Sequence, residues 1–195
     1  MALVRVEKDK FNLRSKLNEL DYGHVPYQKM PSGSIIQLVA GETEYRSATS
    51  SQTFQPTDMF ATISPKFSTS QIYITLGGDA NNNGTGHYLY MTYYRSIVGG
   101  PFSNLATNGR NDSTSVDQNY GFCMVSAHDS RLHVPVAMPF LDSPNTTAPV
   151  TYKVYIRSGN SSHTVEFPAN DGYQRSRMFL YEIAGGGIES VAVGS

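Results

Sequence analysis

Alternation between apolar and polar residues gives the chain its clearest element. From Val150 to Arg157 every second residue is apolar, and the residues between them are Thr, Lys, Tyr and Arg. This period of two is typical of a β-strand with one buried face and one solvated face. The preceding stretch 142–147 is rich in turn-forming residues. The sequence here predicts one half-buried strand that is entered through a turn.

Eight more segments carry strand-like patterns. They are Ser34–Val39, Met59–Ile63, Gln71–Leu76, His87–Tyr94, Tyr120–Ala127, His133–Phe140, His163–Phe167 and Arg177–Ile183. In Ser34–Val39 both faces are apolar, which predicts cover on both sides. Tyr45 and Phe54 are expected to anchor one or two edge strands in the polar stretch that follows. Pro135 and Pro139 would cost ladder hydrogen bonds, so their segment is predicted to be an edge strand or an extended arm.

The order of these elements predicts the fold class. Eight to ten short strands follow one another without the strand–helix–strand alternation of α/β proteins. We expect an all-β fold, an antiparallel β-sandwich of jelly-roll type. Two loops interrupt it, at Gly77–Gly86 and at Ser96–Asp117. The second is long enough to be functional or mobile.

Residues 1–33 differ from the rest of the chain. Asp9 can cap a helix that continues to about Asp21. One face of this helix carries Leu13, Leu17 and Leu20. Residues 24–33 contain two prolines and indicate an extended linker. A helix this short is marginal alone, so it is expected to attach to another protein or to another copy, or else to lie on its own domain. The expected division is 1–33 helix and linker, 34–185 β-sandwich and 186–195 flexible tail.

Charge and composition argue against nucleic-acid and membrane partners. Lys and Arg number 15 and Asp and Glu number 16, so a net charge of -1 gives no attraction to nucleic acid or to an anionic membrane. No apolar run approaches the ~18 residues of a membrane span, and the N-terminus lacks the apolar core of a signal peptide. The single cysteine, Cys123, is expected to be a small buried hydrophobe.

The sequence carries no common catalytic or phosphate-binding motif. His128 and His133 flank a turn at a spacing that suits zinc poorly. The run 128–130 holds the residue types of a catalytic triad, but adjacent side chains cannot form that relay. Glu42 and Glu44 share one face of a polar segment and are interpreted as a solvated edge rather than a hydrolytic pair. No cofactor or metal is therefore expected.

One stretch matches the first half of a calcium loop. Its candidate ligands are Asp79, Asn81 and Asn83, followed by Gly84. The twelfth position, which should be Glu, is Tyr90, and the predicted flanking elements are strands instead of helices. An Asn/Gly hairpin turn is the favoured interpretation.

Three tyrosines share one face of the predicted strand His87–Tyr94. They are Tyr88, Tyr90 and Tyr94, and the opposite face carries Leu89, Met91 and Tyr93. Exposed tyrosines suit stacking on sugar rings or packing against another subunit. The alternative is that these rings belong to the second face of the sandwich.

Four segments form an ordered series along the chain. They are GSIIQLV at 33–39, FATISPKFSTSQIYITL at 60–76, FLDSPNTTAPVTYKVYIRSG at 140–159 and RMFLYEIAG at 177–185. Together they resemble the β-domain of tail-fibre and other virion proteins of tailed phages, especially phages of marine and freshwater bacteria. The third segment is the most specific. Residues 96–117 have no counterpart, so the resemblance carries over no ligand.

The resemblance implies a non-enzymatic homotrimer located in the virion. Its partners would be copies of itself, other tail, baseplate or capsid proteins, and a glycan of the host surface. Docking to the particle would involve Phe11, Leu13, Leu17 and Leu20. Contact with the host or with another subunit would involve Tyr88, Tyr90, Tyr94, Asn108, Arg110 and Asn111. A short tail fibre that docks through residues 1–33 is the favoured interpretation.

Three alternatives stay open on the sequence. A head decoration or cement protein would share the trimer and the sandwich but would read no receptor. A polysaccharide-degrading enzyme would need a carboxylate pair in a groove. A cellular carbohydrate-binding module would need only an exposed aromatic surface.

Overall fold

The computed structural model describes residues 27–83, 87–106, 121–127, 132–169 and 175–185. Within these ranges the chain forms twelve strands and one 3-10 turn. The strands are β1 Ile35–Thr43, β2 Ala48–Thr49, β3 Gln55–Ile63, β4 Gln71–Asn82, β5 His87–Ile97, β6 Ser103–Asn104, β7 Cys123–Ala127, β8 Leu132–Ala137, β9 Phe140–Asp142, β10 Val150–Ser158, β11 Val165–Glu166 and β12 Ser176–Ile183. The 3-10 turn is Tyr27–Lys29. The all-β prediction is confirmed.

Several sequence-based expectations fall outside the described ranges. The predicted N-terminal helix with its docking residues Phe11, Leu13, Leu17 and Leu20 is one of them. The loop residues Asn108, Arg110 and Asn111 and the tail from 186 onward are others. Where the structure describes the chain, it has no helix long and apolar enough to cross a bilayer.

The strands form two antiparallel sheets. In the first sheet β1 pairs with β12 and β12 pairs with β4, while β8 and β9 lie along the other side of β4. The short strands β11 and β2 extend this sheet from the end of β4. In the second sheet β3 pairs with β10 and β10 pairs with β5, while β6 and β7 pair with β5.

The longer strands change sheet at almost every step along the chain. β1 lies in the first sheet, β3 in the second, β4 in the first and β5 in the second. β7 stays with β5 in the second sheet, β8 and β9 return to the first, and β10 and β12 then occupy the second and the first. Successive elements therefore wrap around a shared core.

The core lies between the two sheets and follows the predicted alternation. β10 buries Val150, Tyr152, Val154 and Ile156, and β4 buries Ile72, Ile74 and Leu76. β5 turns Leu89, Met91 and Tyr93 into the same space. The hydroxyl of Tyr93 donates to the carbonyl oxygen of Met138 at 2.6 Å, which joins the second sheet to the chain between β8 and β9. Each fully buried aliphatic side chain contributes about 1.5–3 kcal/mol to folding.

β4 continues through a segment that the sequence predicts to be a loop. The expected loop began at Gly77, but Gly77 pairs with β12 on one side and with β8 on the other. A Cβ atom on Gly78 would lie 2.0 Å from Oγ of Ser176. Gly78 therefore permits close packing of two strands, and neither glycine forms a turn.

β1 is an edge strand and is not covered on both sides as predicted. Its residues Ile35 and Leu38 are 59% and 54% exposed. Tyr45 is 69% exposed and anchors no strand, whereas Phe54 is half-buried against Tyr94 with ring centroids 6.3 Å apart. Alternation within a strand is visible in a sequence, but the strand's place at an edge depends on distant pairing.

The described part of the predicted linker is fastened to the sandwich. It begins with the 3-10 turn instead of an extended segment. Tyr27 packs edge-on against Phe67, with ring centroids 5.4 Å apart. The amide of Gly33 donates to the carbonyl of Ala184 at 3.0 Å, and the amide of Ala184 donates to Ser34 at 2.8 Å. The contacts of the β-domain therefore extend back to Tyr27.

A buried carboxylate ties the two sheets together at β9. Asp142 accepts two hydrogen bonds from Nη1 of Arg95, both at 2.9 Å, and one from the hydroxyl of Tyr152 at 2.7 Å. Arg95 on β5 and Tyr152 on β10 belong to the second sheet, while β9 belongs to the first. Burial, followed by the neighbouring Asp142, raises the pKa of Tyr152. The phenol therefore stays protonated and donates.

A second buried carboxylate holds the loop between β3 and β4. Oε1 of Glu182 accepts hydrogen bonds from the hydroxyl of Ser70 and the amide of Lys66, both at 2.6 Å. Its Oε2 accepts from the side-chain amide of Gln37 on β1. Glu182 is completely buried, so these donors replace the water that the carboxylate loses.

Candidate functional site

The outer side of the second sheet carries a cluster of aromatic rings around one arginine. We call it the aromatic face, and its residues are Phe54, Tyr88, Tyr90, Tyr94, Phe102, Tyr155 and Arg157. Because Leu89, Met91 and Tyr93 of β5 point into the core, the alternate tyrosines of that strand point outward. β10 lies beside β5 and adds Tyr155 and Arg157 in the same way.

Stacked rings form the centre of the aromatic face. Tyr94 and Tyr155 stack with centroids 3.8 Å apart and planes at 18°. Phe102 lies beside Tyr155 at 6.1 Å. Burial, followed by the adjacent Tyr155, raises the pKa of Tyr94, and burial raises that of Tyr155. Both hydroxyls are therefore neutral hydrogen-bonding groups on a rigid apolar platform.

Arg157 packs beneath this surface. Its guanidinium lies 4.1 Å from the ring centroid of Tyr90 and 5.4 Å from that of Phe54. Arg157 is only 7% exposed and Tyr90 only 6%, so each covers the other. Cation–π contacts of this kind contribute about 0.5–2 kcal/mol. Tyr90 thus supports the surface, which differs from the expectation of an exposed contact residue.

The three predicted tyrosines therefore differ in what they offer to a partner. Tyr88 is 40% exposed and lies beside Tyr90, with centroids 6.0 Å apart. Tyr94 is half-buried within the stack. The sequence grouped the three by their shared face. It did not single out Arg157 or Tyr155, because their position beside β5 depends on strand register.

The beginning of the predicted long loop is fixed next to the aromatic face. The amide of Leu105 donates to the carbonyl of Tyr93 at 2.9 Å. The hydroxyl of Thr92 donates to Oδ1 of Asn104 at 2.8 Å. The loop therefore leaves the sheet beside Tyr94, while its residues from 107 to 120 lie outside the described part of the chain.

The calcium-like stretch lies in a strand. Asp79 and Asn81 belong to β4, and Asn82 is fully buried. The favoured Asn/Gly hairpin turn and the calcium loop both need a turn from Asp79 onward, and neither begins there, while residues 84–86 lie outside the described part of the chain. The described residues contain no group of three or more His, Cys, Asp and Glu side chains that could hold a metal ion.

Two histidines that are distant in the sequence lie side by side in the structure. His133 lies in β8 opposite Asn81, and His128 is outside the described ranges. His87 and His163 stack instead, with ring centroids 3.8 Å apart. Their separation of 76 positions gives no local signal in the sequence.

A cleft opens at the edge where β1 meets β3. It has a volume of about 440 Å³. Its lining residues are Glu42, Thr43, Glu44, Tyr45, Asp58, Phe60 and Arg175. Hydrogen bonds from Arg175 and Arg177 lower the pKa of Glu42. Since Glu42 is already paired with two arginines, it does not resemble a free acid or base of a hydrolytic pair.

The outer side of the first sheet carries a second exposed surface, which we call the apolar face. Its residues are Leu38, Ala40, Tyr73, Leu141, Phe179 and Tyr181. One row crosses four strands, because Leu38 pairs with Tyr181, Tyr181 with Tyr73 and Tyr73 with Leu141. Leu38 is 54% exposed and Tyr73 is 37% exposed. The sequence indicated this surface through the apolar residues on both faces of β1. We had interpreted that pattern as a strand covered on both sides by its own domain.

Comparison with known proteins gives no functional neighbour. The sequence matches no protein-family model, and no curated protein matches it significantly.

Proposed function

We propose that this protein is a non-enzymatic virion structural protein, a short homotrimeric tail fibre with a β-domain of jelly-roll type. It would dock to the phage particle through residues 1–33 and contact the host surface with the β-domain. The order of strands around the core is the observation that carries this proposal. The motif series described above adds a resemblance to the same class of proteins.

The strand order supports the jelly-roll assignment. Eight strand positions form two sheets, β1-β12-β4-β8/β9 and β3-β10-β5-β7, and only the β5–β7 connection stays within one sheet. A jelly roll has eight strands in two such sheets, and viral capsid proteins and lectins use it repeatedly. Because one fold serves many functions, the tail-fibre role is proposed from the motif series together with the strand order.

The apolar face supports assembly from copies of the chain. Its central row spans four strands, about 14 Å across at the usual strand spacing. Surfaces that combine aromatic and aliphatic residues without charge are typical of subunit interfaces. We assign this face to contact with a second copy, which leaves the aromatic face of the other sheet for an outward contact.

The assembly step can be tested by mass photometry of purified protein. Leu38→Glu introduces a charge at the β1 end of the central row, where the apolar face is most exposed, and is expected to leave monomers where the parent chain forms trimers. Met124→Glu is the matched control, because Met124 is 55% exposed on the second sheet. A parent chain that is monomeric, or trimers of Leu38→Glu, would refute the interface.

The location can be tested by electron microscopy of particles labelled with gold-tagged antibody to this chain. Label at the tail tip or baseplate is expected for a receptor-binding fibre. Label over the head would instead favour the decoration protein, in which both exposed faces would be contacts within the shell. Absence of the chain from purified particles would refute both roles.

A further inference from the structure

The cleft between β1 and β3 combines exposed aromatic rings with fixed polar groups. Tyr45 is 69% exposed and Phe60 is 52% exposed, and both line the cleft. Two large rings open to solvent at the rim of one concavity are unusual for residues that serve only the fold. The volume of about 440 Å³ lies within the range of small-molecule sites.

The backbone around the cleft is held in place from both sides. A Cβ atom on Gly41 would lie 2.2 Å from the carbonyl oxygen of Phe60, so only glycine lets the two edge strands approach this closely. The amide of Tyr45 donates to Oγ1 of Thr43 at 3.1 Å. The amide of Asp58 donates to Oγ of Ser47 at 3.0 Å. The rim carrying Tyr45 and the rim carrying Phe60 therefore have a fixed separation, which lowers the entropic cost of binding.

Ion pairs order the polar side of the cleft. Nη1 of Arg175 lies 2.5 Å from Oε1 of Glu42, and Nη2 lies 3.4 Å from Oε2 of Glu44. Nε of Arg177 holds the other oxygen of Glu42 at 2.7 Å. Three carboxylates, of Glu42, Glu44 and Asp58, thus face two guanidinium groups, and the net charge of the group is -1.

This chemistry selects among ligand classes. Carboxylates accept hydrogen bonds from hydroxyl groups, and a guanidinium donates to hydroxyl and ring oxygens. Aromatic rings accept the apolar C–H face of a pyranose ring through burial of apolar surface. The ammonium of Lys153 lies 5.8 Å from the Phe60 ring and offsets the -1 charge of this group, so an anionic ligand would meet no net attraction. A wholly apolar ligand would leave the charged groups without water or partners.

We propose that the cleft binds a neutral glycan, with a sugar ring seated against Tyr45 and Phe60 and its hydroxyl groups bonded to Asp58, Glu44 and Arg175. For its biological meaning this inference rests on the proposed contact with the host surface. It moves the glycan contact from the aromatic face to the edge of the sandwich.

The experiment is protein-observed NMR of the full chain with a panel of neutral tetrasaccharides built from glucose, mannose or galactose. At millimolar concentration at least one is expected to shift the amide signals of Thr43–Tyr45 and Asp58–Phe60. Tyr45→Ala and Phe60→Ala should each weaken that binding about tenfold. Both side chains are largely exposed, so thermal melting should stay close to that of the parent chain.

Tyr88→Ala is the matched control, because it removes an exposed ring from the aromatic face. Binding that survives this change and is lost in the two cleft variants supports the inference. Binding that is lost in Tyr88→Ala alone, or a panel that shifts no cleft residue, overturns it. Neither result alters the particle labelling that tests the fibre role, so the two proposals fail separately.

Discussion

Replacing Asp142 by alanine is expected to cost more stability than any exposed substitution in the molecule. The change removes the acceptor of both the Tyr152 hydroxyl and the Arg95 guanidinium. Tyr152 is fully buried, so its hydroxyl would lose its partner inside the core at a cost of about 1–3 kcal/mol. The side chain of Arg95 is 24% exposed and can turn partly to water, which reduces its share.

Together these losses lower the free energy of unfolding by about 3–4 kcal/mol. A domain of this size is stable by about 5–15 kcal/mol, so the variant should still fold. The chain has no tryptophan, so tyrosine fluorescence and circular dichroism would follow unfolding in urea. Tyr152→Phe alone should cost about 1 kcal/mol. The double variant also lacks the hydroxyl, so Asp142→Ala leaves no unpaired phenol in it. Its cost should therefore be smaller than the sum of the two single costs by about 1 kcal/mol.

Asp58→Ala provides the comparison, because Asp58 is an exposed carboxylate on β3 and its loss should change stability by no more than about 0.5 kcal/mol. The reasoning is refuted if Asp142→Ala costs less than about 1 kcal/mol. It is also refuted if the costs of Asp142→Ala and Tyr152→Phe simply add, since the shared hydrogen bond requires coupling.

Three further substitutions test other parts of the account. Glu182→Ala removes the acceptor of the Lys66 amide and the Ser70 hydroxyl and should lower the free energy of unfolding by about 2–4 kcal/mol. Hydrogen exchange of the Lys66 amide should become faster. Unchanged exchange there would contradict this. Arg157→Lys loses the planar stack on Tyr90 and should lower the free energy of unfolding in urea by about 1 kcal/mol. Lys153→Arg is the control and should change it less, because the ammonium of Lys153 lies 5.8 Å from the exposed ring of Phe60. Hydrogen bonds from Arg175 and Arg177 lower the pKa of Glu42 below its usual 4.5. The ionised carboxylate therefore stabilises the folded chain at pH values above 4.5, and this stabilisation is lost as the pH falls through the folded-state pKa. Parent and Glu42→Gln melting temperatures should therefore differ at about pH 6 and converge as the pH falls through the folded-state pKa of Glu42, and a constant difference would contradict the pairing.

Local periodicity was sufficient to predict much of the scaffold. The alternation in β10 placed Val150 and Ile156 in the core, and the same pattern placed Ile72 and Ile74 there. Pro135 correctly indicated an edge strand, because β8 pairs with β4 alone among the described strands. These features depend only on neighbouring residues, which a sequence displays directly.

Features that depend on register could not be predicted in this way. Gly77 looks like the start of a loop, yet strands on both sides complete its pairing. Arg157 looks like a solvated residue, yet it is buried by Tyr90 on a neighbouring strand. The edge cleft brings together Tyr45 and Arg175, which are 130 positions apart in the chain. No periodic pattern links positions so distant.

The four segments on which the proposed relationship to virion proteins rests contact one another in the scaffold. Gly33 of the first bonds to Ala184 of the fourth. Glu182 of the fourth holds the loop of the second, and Asp142 of the third joins the sheets. Apart from Phe60, the cleft residues lie outside all four segments. The proposed relationship to virion proteins therefore rests on residues that build the sandwich, and most of the cleft lining lies outside it. A glycan specificity for this protein must accordingly be measured on the cleft itself rather than transferred with the fold.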